Sequence, residues 1–391
     1  MNEPDPAENP FTGLPFLGDM ARAFASQGPI HWEMARQFAI MGADDGNPNQ
    51  NVDPTARIAI ENLTSIAAMH VDQVTLLASQ PPQIECVTKA QWAHYTLESY
   101  KPLFDELASA LSQPVTGTEP DTESDPMASM MAGLSKMMAP SMMGMAIGSM
   151  IGQLSQLAFG QYDLPLPRDN TKILIVPSTI DAFADEWSLE HDDARLWTLL
   201  HELSMHAFFS ASHIRDAVWT AVHNHVRGFQ PDPTSALTKI TEMELDPSAT
   251  DPMALIQKML SDPEVLLGAS TTSAQQANRP LLDTLIALAV GYTDFTVDEC
   301  ATRLLGTSTP ISEAIRRRRL ESSPADIYVE HLLGLRLQRS HVEKGRNFVS
   351  GVVERAGRDG FNRMFESPNL IPTVNEIEAP GLWLARIEIN D

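Results

Sequence analysis

Between Met137 and Tyr162 the chain carries no charged residue, and a glycine recurs there at every fourth position, Gly144, Gly148 and Gly152. Residues four apart share one face of an α-helix. A run this apolar either is buried by its neighbours as a helix or crosses a bilayer, for which about 20 apolar residues suffice. Ser141, Ser149, Gln153, Ser155 and Gln156 dilute it, and aromatic anchors are few. The expectation is an interior helix whose glycine face lets a second helix approach closely. A membrane-associated helical protein built on Met137–Phe159 is the competing reading; no membrane span is expected.

The rest of the chain can build such an interior. It has 391 residues, 43% of them hydrophobic, enough for one large domain or two ordinary ones. A helix is predicted from near Pro29, where Trp32, Ala35, Phe38 and Ala39 share a face, and further amphipathic helices through Ile58–Ser79 and Thr88–Leu111. Residues 1–28 and 41–54 read as irregular chain. Gln113–Asp125, polar and punctuated by Pro114, Gly117 and Pro120, reads as a flexible linker, poorly ordered around Thr116–Asp125. Lys172–Val176, closed by Pro177, is the strongest strand candidate. Helices are expected to resume from Ser188, 229–251 to be loop and short helix, and the tail from Leu281 to be helical with breaks at Gly306, Gly334, Gly345 and Gly357. The resulting partition is an N-terminal helical layer over 1–112, an acidic linker over 113–127, and a core over 128–391 that forms one unit with the layer.

A formal net charge of -24 argues against nucleic acid and anionic membrane surfaces as general partners and leaves cationic partners open. Two cysteines, Cys86 and Cys300, make neither a disulfide framework nor a cysteine metal knuckle. The first ten residues have no basic or apolar region of a secretory signal, so the cytoplasm is the expected compartment.

One segment, Asp192–Phe209, carries recognisable chemistry. Leu196, Leu199, Leu200, Leu203 and Ala207 mark a helix with one buried stripe, and Asp192 and Asp193 suit the positive end of its dipole. His201 and Glu202 begin the pattern in which zinc peptidases hold the metal between two histidines one turn apart and use the glutamate as general base. The second ligand position, however, is Met205, whose thioether is a soft, neutral donor poorly suited to a hydrolytic zinc. His206 lies about 140° around the helix from His201, on the Glu202 side, where a Glu202–His206 hydrogen bond is the simple expectation. Only a one-residue π-bulge would bring His206 beside His201. Without a second ligand, His201 reads as a partly buried helix histidine with a hydrogen-bond partner. His213, His223 and His225 read as surface or satisfied histidines, and Arg316–Arg319 as the solvated face of a short helix after Ser312. There is no Walker loop, dinucleotide glycine fingerprint or nucleophile-elbow serine.

With these residues in view, the chain resembles the actinobacterial zincin-like proteins, a family known as zinc-dependent metalloproteases or hydrolases of unassigned function. The likeness spans nearly the whole chain. Gly28–Gln37 is similar to the family's Trp-containing opening helix, Gly144–Gly152 to its glycine-rich helix, Leu196–Phe209 to its motif helix and Leu285–Tyr292 to a later helix. In the tail, Leu332–Arg336, Phe361–Arg363 and Pro368–Thr373 match most distinctively. The resemblance implies a mainly α fold: a zincin-like metallopeptidase core with a small β-sheet that includes Ile173–Val176, under an N-terminal helical layer. It also exposes two departures. Met205 replaces the second histidine, and Val290 of Val290-Gly291-Tyr292 replaces a glutamate that supplies the family's third ligand, while Phe295 stands where a histidine often follows. A zinc held by one histidine would wash out.

The reading that follows is a non-catalytic member, a pseudoenzyme with Glu202 as a remnant general base, no cofactor expected, and a protein or peptide partner. The alternative is an active zinc metallopeptidase using His201 and His206 as metal ligands and Glu202 as base, with an acidic group such as Asp294 completing the site.

Overall fold

The computed structural model describes residues 28–43, 51–77, 82–112, 126–168, 172–231, 269–270, 272–304, 309–318, 332–335 and 339–389. The expectations for 1–27, for the Gln113–Asp125 linker, for most of 229–251 and for Gly306 lie outside the described residues.

The fold is mainly helical, and local chemistry accounts for its boundaries. α1 spans Trp32–Ala43. α2, Pro54–Thr75, opens with the Asp53 carboxylate accepting the Thr55 N–H at 3.0 Å and with proline in its first turn, where no N–H is needed. It stops before the expected Ser79 because Leu76 adopts a left-handed conformation, φ 55°. α3, Lys89–Leu111, starts on a capping box: Thr88 Oγ1 accepts the Gln91 N–H and Gln91 Oε1 accepts the Thr88 N–H. α4 spans Pro126–Ser155, α5 Pro177–Glu186, α6 His191–Phe208 and α7 Ser212–Arg227. Helices thus resume at Pro177, earlier than Ser188, since the proline that closes a strand is equally at home in the first turn of a helix. α8 (Ser273–Leu304), α9 (Thr309–Arg318), α10 (Arg339–Asn362) and α11 (Pro380–Ile389) complete the described helices.

The predicted strand is β2, Lys172–Ile175, and its partner is β1, Gln83–Cys86, which hydrophobic pattern did not reveal. They pair in parallel, from Gln83 opposite Lys172 to Cys86 opposite Ile175. A second two-residue pair joins β3 (Gln230–Pro231) to β4 (Ala269–Ser270) in antiparallel fashion.

The glycines of α4 have the role their spacing implied. A Cβ on Gly144 would lie 2.5 Å from the His31 carbonyl oxygen, on Gly148 2.2 Å from that of Ala35, and on Gly152 2.7 Å from that of Ala39. α1 and α4 therefore run backbone against backbone along a seam that only hydrogen side chains permit. Among the described residues α8 is the helix long and apolar enough to cross a membrane, and 67% of its apolar window is buried inside the fold. One hydrophobic cluster extends from Ile30 to Ile387, so the N-terminal helices and the later ones share a core.

Gly148→Ala tests the seam. Alanine gains about 1 kcal/mol in helix propensity over glycine, but overpacking against a carbonyl costs about 1–3 kcal/mol. Urea unfolding should show a net loss of stability, whereas Gly381→Ala, where an added Cβ meets nothing within 4 Å, should be neutral or slightly stabilising.

Candidate functional site

α6 carries the His201–Glu202 pair and is enclosed on nearly every side. The predicted stripe, Leu196, Leu199, Leu200, Leu203 and Ala207, is buried, and so are Arg195, Thr198, Glu202, Ser204 and Met205 from the remaining faces. Arg195 secures the N-terminal end, its guanidinium donating to both carboxylate oxygens of Asp181 on α5 at 2.9 Å and to Asp192 at 3.0 Å.

His201 keeps a little exposure, 15% of its side chain. Its ring stacks on Trp197 one turn earlier, centroids 5.4 Å apart and planes at 18°, and its Nδ1 lies 3.3 Å from Glu202 Oε1. Glu202 is 1% exposed. Its Oε2 accepts the main-chain N–H of Tyr162 at 2.9 Å, and Gly160 packs so closely that a Cβ there would fall 2.5 Å from the Glu202 carboxyl carbon. Burial raises the Glu202 pKa, with the charge of Asp163 acting in the same sense and His201 and the Tyr162 N–H opposing.

Met205 is 1% exposed, and its sulfur accepts a hydrogen bond from the Thr293 hydroxyl on α8 at 3.5 Å. α6 is regular throughout, with no π-helical turn, so His206 stays away from His201. Its Nδ1 sits 3.0 Å from the Tyr162 hydroxyl; burial, assisted by Arg215, lowers its pKa, so the neutral ring accepts from the phenol. The direct Glu202–His206 bond expected from helix spacing does not form. Tyr162 stands between them, giving its N–H to one and its O–H to the other. Sequence reasoning missed Tyr162 because it lies 40 residues away in a short 3-10 turn, Gln161–Asp163, with no motif to mark it.

The later helix is apolar where a ligand would stand. Val290 packs against the core. Gly291 serves helix contact, since a Cβ would lie 2.3 Å from the Gly345 backbone. Tyr292 is fully buried and stacked on Phe361 at 5.6 Å, and Phe295 lies under the Arg358 guanidinium. His213 is engaged with the Met364 carbonyl at 3.0 Å and His223 with Glu106 at 2.6 Å. Of the Arg316–Arg319 run read as a solvated face, the two described side chains differ: Arg317 pairs with Glu313 in solvent, but Arg318 lies 3.5 Å over the Phe159 ring and donates to the Leu157 carbonyl.

Among the described residues no three His, Cys, Asp or Glu side chains converge in a way that could hold a metal ion. Zinc takes about three or four nitrogen, thiolate or carboxylate ligands, and the matching positions offer one stacked imidazole, a thioether already accepting a hydrogen bond, and an isopropyl group. These residues do not fit a zinc. A groove of 360 Å³ opens elsewhere, on α7, lined by Asp216, Trp219, Thr220, His223, Asn224 and Arg227.

A family model described as zincin-like metallopeptidase matches residues 30–384. The chain is also similar to a solved structure described as "a putative hydrolase with a novel fold" from Chloroflexus aurantiacus, at 22% identity and a TM-score of 0.59, over 92% of this chain and 99% of that one. At that identity the likeness establishes fold alone. No curated protein sequence matches the chain.

The buried carboxyl makes a pH prediction. A raised folded pKa means that stability is fully present below the ordinary carboxylate range and is lost as pH rises through the folded pKa. Glu202→Gln keeps an acceptor for the Tyr162 N–H and removes the titration. In urea unfolding at a series of pH values from about 4 to about 8, the variant should gain on the natural protein as pH rises; a pH-independent difference would mean that burial does not hold the carboxyl neutral.

Proposed function

Given that the chain belongs to the zincin-like metallopeptidase family, we propose that it is a non-catalytic member whose motif helix has been converted to core and which acts by binding a protein or peptide partner. The observation that carries this reading is the Thr293 hydroxyl bonded to the Met205 sulfur at 3.5 Å. The side chain in the second ligand position is committed to packing between α6 and α8, and a buried, bonded thioether is not a vacancy awaiting a metal.

Two further features support it. Glu202 is anchored to the Tyr162 main chain and 1% exposed, whereas a general base must reach the water or substrate it deprotonates. Val290 stands where the family resemblance places a third ligand, and among the described residues no group of three His, Cys, Asp or Glu side chains could hold a metal in its stead. The net charge of -24 favours a partner with a basic face and disfavours nucleic acid and anionic membranes; the cytoplasm is the compartment we assign.

Metal analysis of protein purified without chelator, beside a casein or peptide cleavage assay of the natural chain and Glu202→Gln, tests the proposal. We expect far less than one zinc per chain and no cleavage that depends on Glu202. Stoichiometric zinc with Glu202-dependent cleavage would establish instead the catalytic reading through His201, Glu202 and His206.

A further inference from the structure

Long cationic side chains ordinarily lay their stems on apolar surface and keep the charged head in water. Arg358 does the reverse. The residue as a whole is half-buried, yet both terminal nitrogens, Nη1 and Nη2, are shut off from solvent and have no hydrogen-bond partner among the described residues. Among the described residues no carboxylate lies within ion-pair distance of it. Glu299, whose charge acts on it, is engaged by Arg303 at 3.5 Å. The guanidinium lies 4.5 Å from the centre of the Phe295 ring. That attraction offsets part of the desolvation cost but leaves the N–H groups without acceptors.

The surroundings repeat the anomaly. Tyr292 and Thr296, one turn apart on α8 and both 0% exposed, have hydroxyls that neighbour each other, with the Thr75 hydroxyl also beside Tyr292, yet among the described residues neither makes a hydrogen bond of good geometry. Asn362, one turn beyond Arg358 on α10, donates its amide to the Thr75 carbonyl at 2.7 Å; its Oδ1, also without a hydrogen-bond partner among the described residues, is an acceptor and calls for a donor such as water rather than for an anion. α10 is interrupted at Gly357, φ 71°, immediately before Arg358, and the Tyr292–Phe361 stack brings its end against α8. The Arg358 guanidinium and the Tyr292 and Thr296 hydroxyls are all donors, and unmet donors side by side call for a common acceptor. Water brings donors along with acceptors and no charge. An oxyanion brings acceptors only, and supplies the charge that Arg358 lacks.

We propose that Arg358, Tyr292 and Thr296 form a binding site for one small oxyanion, either free phosphate or the terminal carboxylate of a peptide. The site is separate from the His201–Glu202 helix face and does not depend on the reading of that motif.

Calorimetric titration of the full chain at constant ionic strength tests it, with inorganic phosphate in one arm and a short peptide bearing a free or an amidated C-terminus in the other. One equivalent of at least one oxyanion should bind, and Arg358→Met should weaken that binding by about tenfold or more. Tyr292→Phe keeps the ring stack, removes one donor and should also weaken it; this variant decides the matter if Arg358→Met fails to fold. Binding of the free but not the amidated peptide identifies a carboxylate ligand, and binding of phosphate alone identifies the free ion. If neither oxyanion binds, or if both variants bind as well as the natural chain, the niche holds only water and the proposal is overturned.

Discussion

A helix enclosed on nearly all sides must look for partners for its polar groups inside the protein, and α6 finds them for most of the groups it buries, the Ser204 hydroxyl being an exception among the described residues. Arg195 is met by Asp181 and Asp192, Thr198 turns its hydroxyl back to the Ala194 carbonyl, and Glu202 and His206 are both met by Tyr162. Leaving any of these unpaired would cost about 1–3 kcal/mol. The short turn that carries Tyr162 is therefore held by its own contacts: Asp163 Oδ2 accepts the Phe159 and Gly160 N–H groups at 2.5 and 2.7 Å, and Trp92 donates to the Gly160 carbonyl at 2.7 Å. Gly160 also pairs with Ile175, which ties the turn to β2. The small sheet thus positions the groups that satisfy the motif helix.

The same economy appears in the two glycine contacts. At α1–α4 and at the Gly291–Gly345 crossing of α8 and α10, removal of a side chain lets two backbones touch. Close approach multiplies dispersion contacts along each helix and compensates for the modest amphipathicity of α4 and α8. In Val290-Gly291-Tyr292 the glycine and the tyrosine are both explained by packing, with no appeal to a metal.

Much of this was legible in the sequence where the signal is local and periodic. The leucine stripe of α6 and the glycine face of α4 repeat at helical spacing, and β2 is a continuous β-branched run closed by a proline. What escaped was set by distant partners. Gln83–Cys86 is too short and too polar to announce a strand, and becomes one because β2 offers a ladder. Tyr162 reaches α6 across 40 residues. Arg318, read as one of a solvated run, turns inward because Phe159 presents a ring face and Asp163 a nearby carboxylate, 3.7 Å away. At the motif itself, the expectation that positions 205 and 290 hold no zinc ligand rests on residue type and family resemblance; the coordinates add the Thr293 hydroxyl bonded to the Met205 sulfur.

The two bonds made by Tyr162 differ in how they would fare under genetic drift. The one to Glu202 comes from the main chain, a donor that every residue type except proline carries. The one to His206 comes from a phenol, and a single nucleotide change can abolish it. Glu202 thus keeps its main-chain partner whichever of those side chains stands at 162, whereas His206 loses its partner as soon as the phenol is lost.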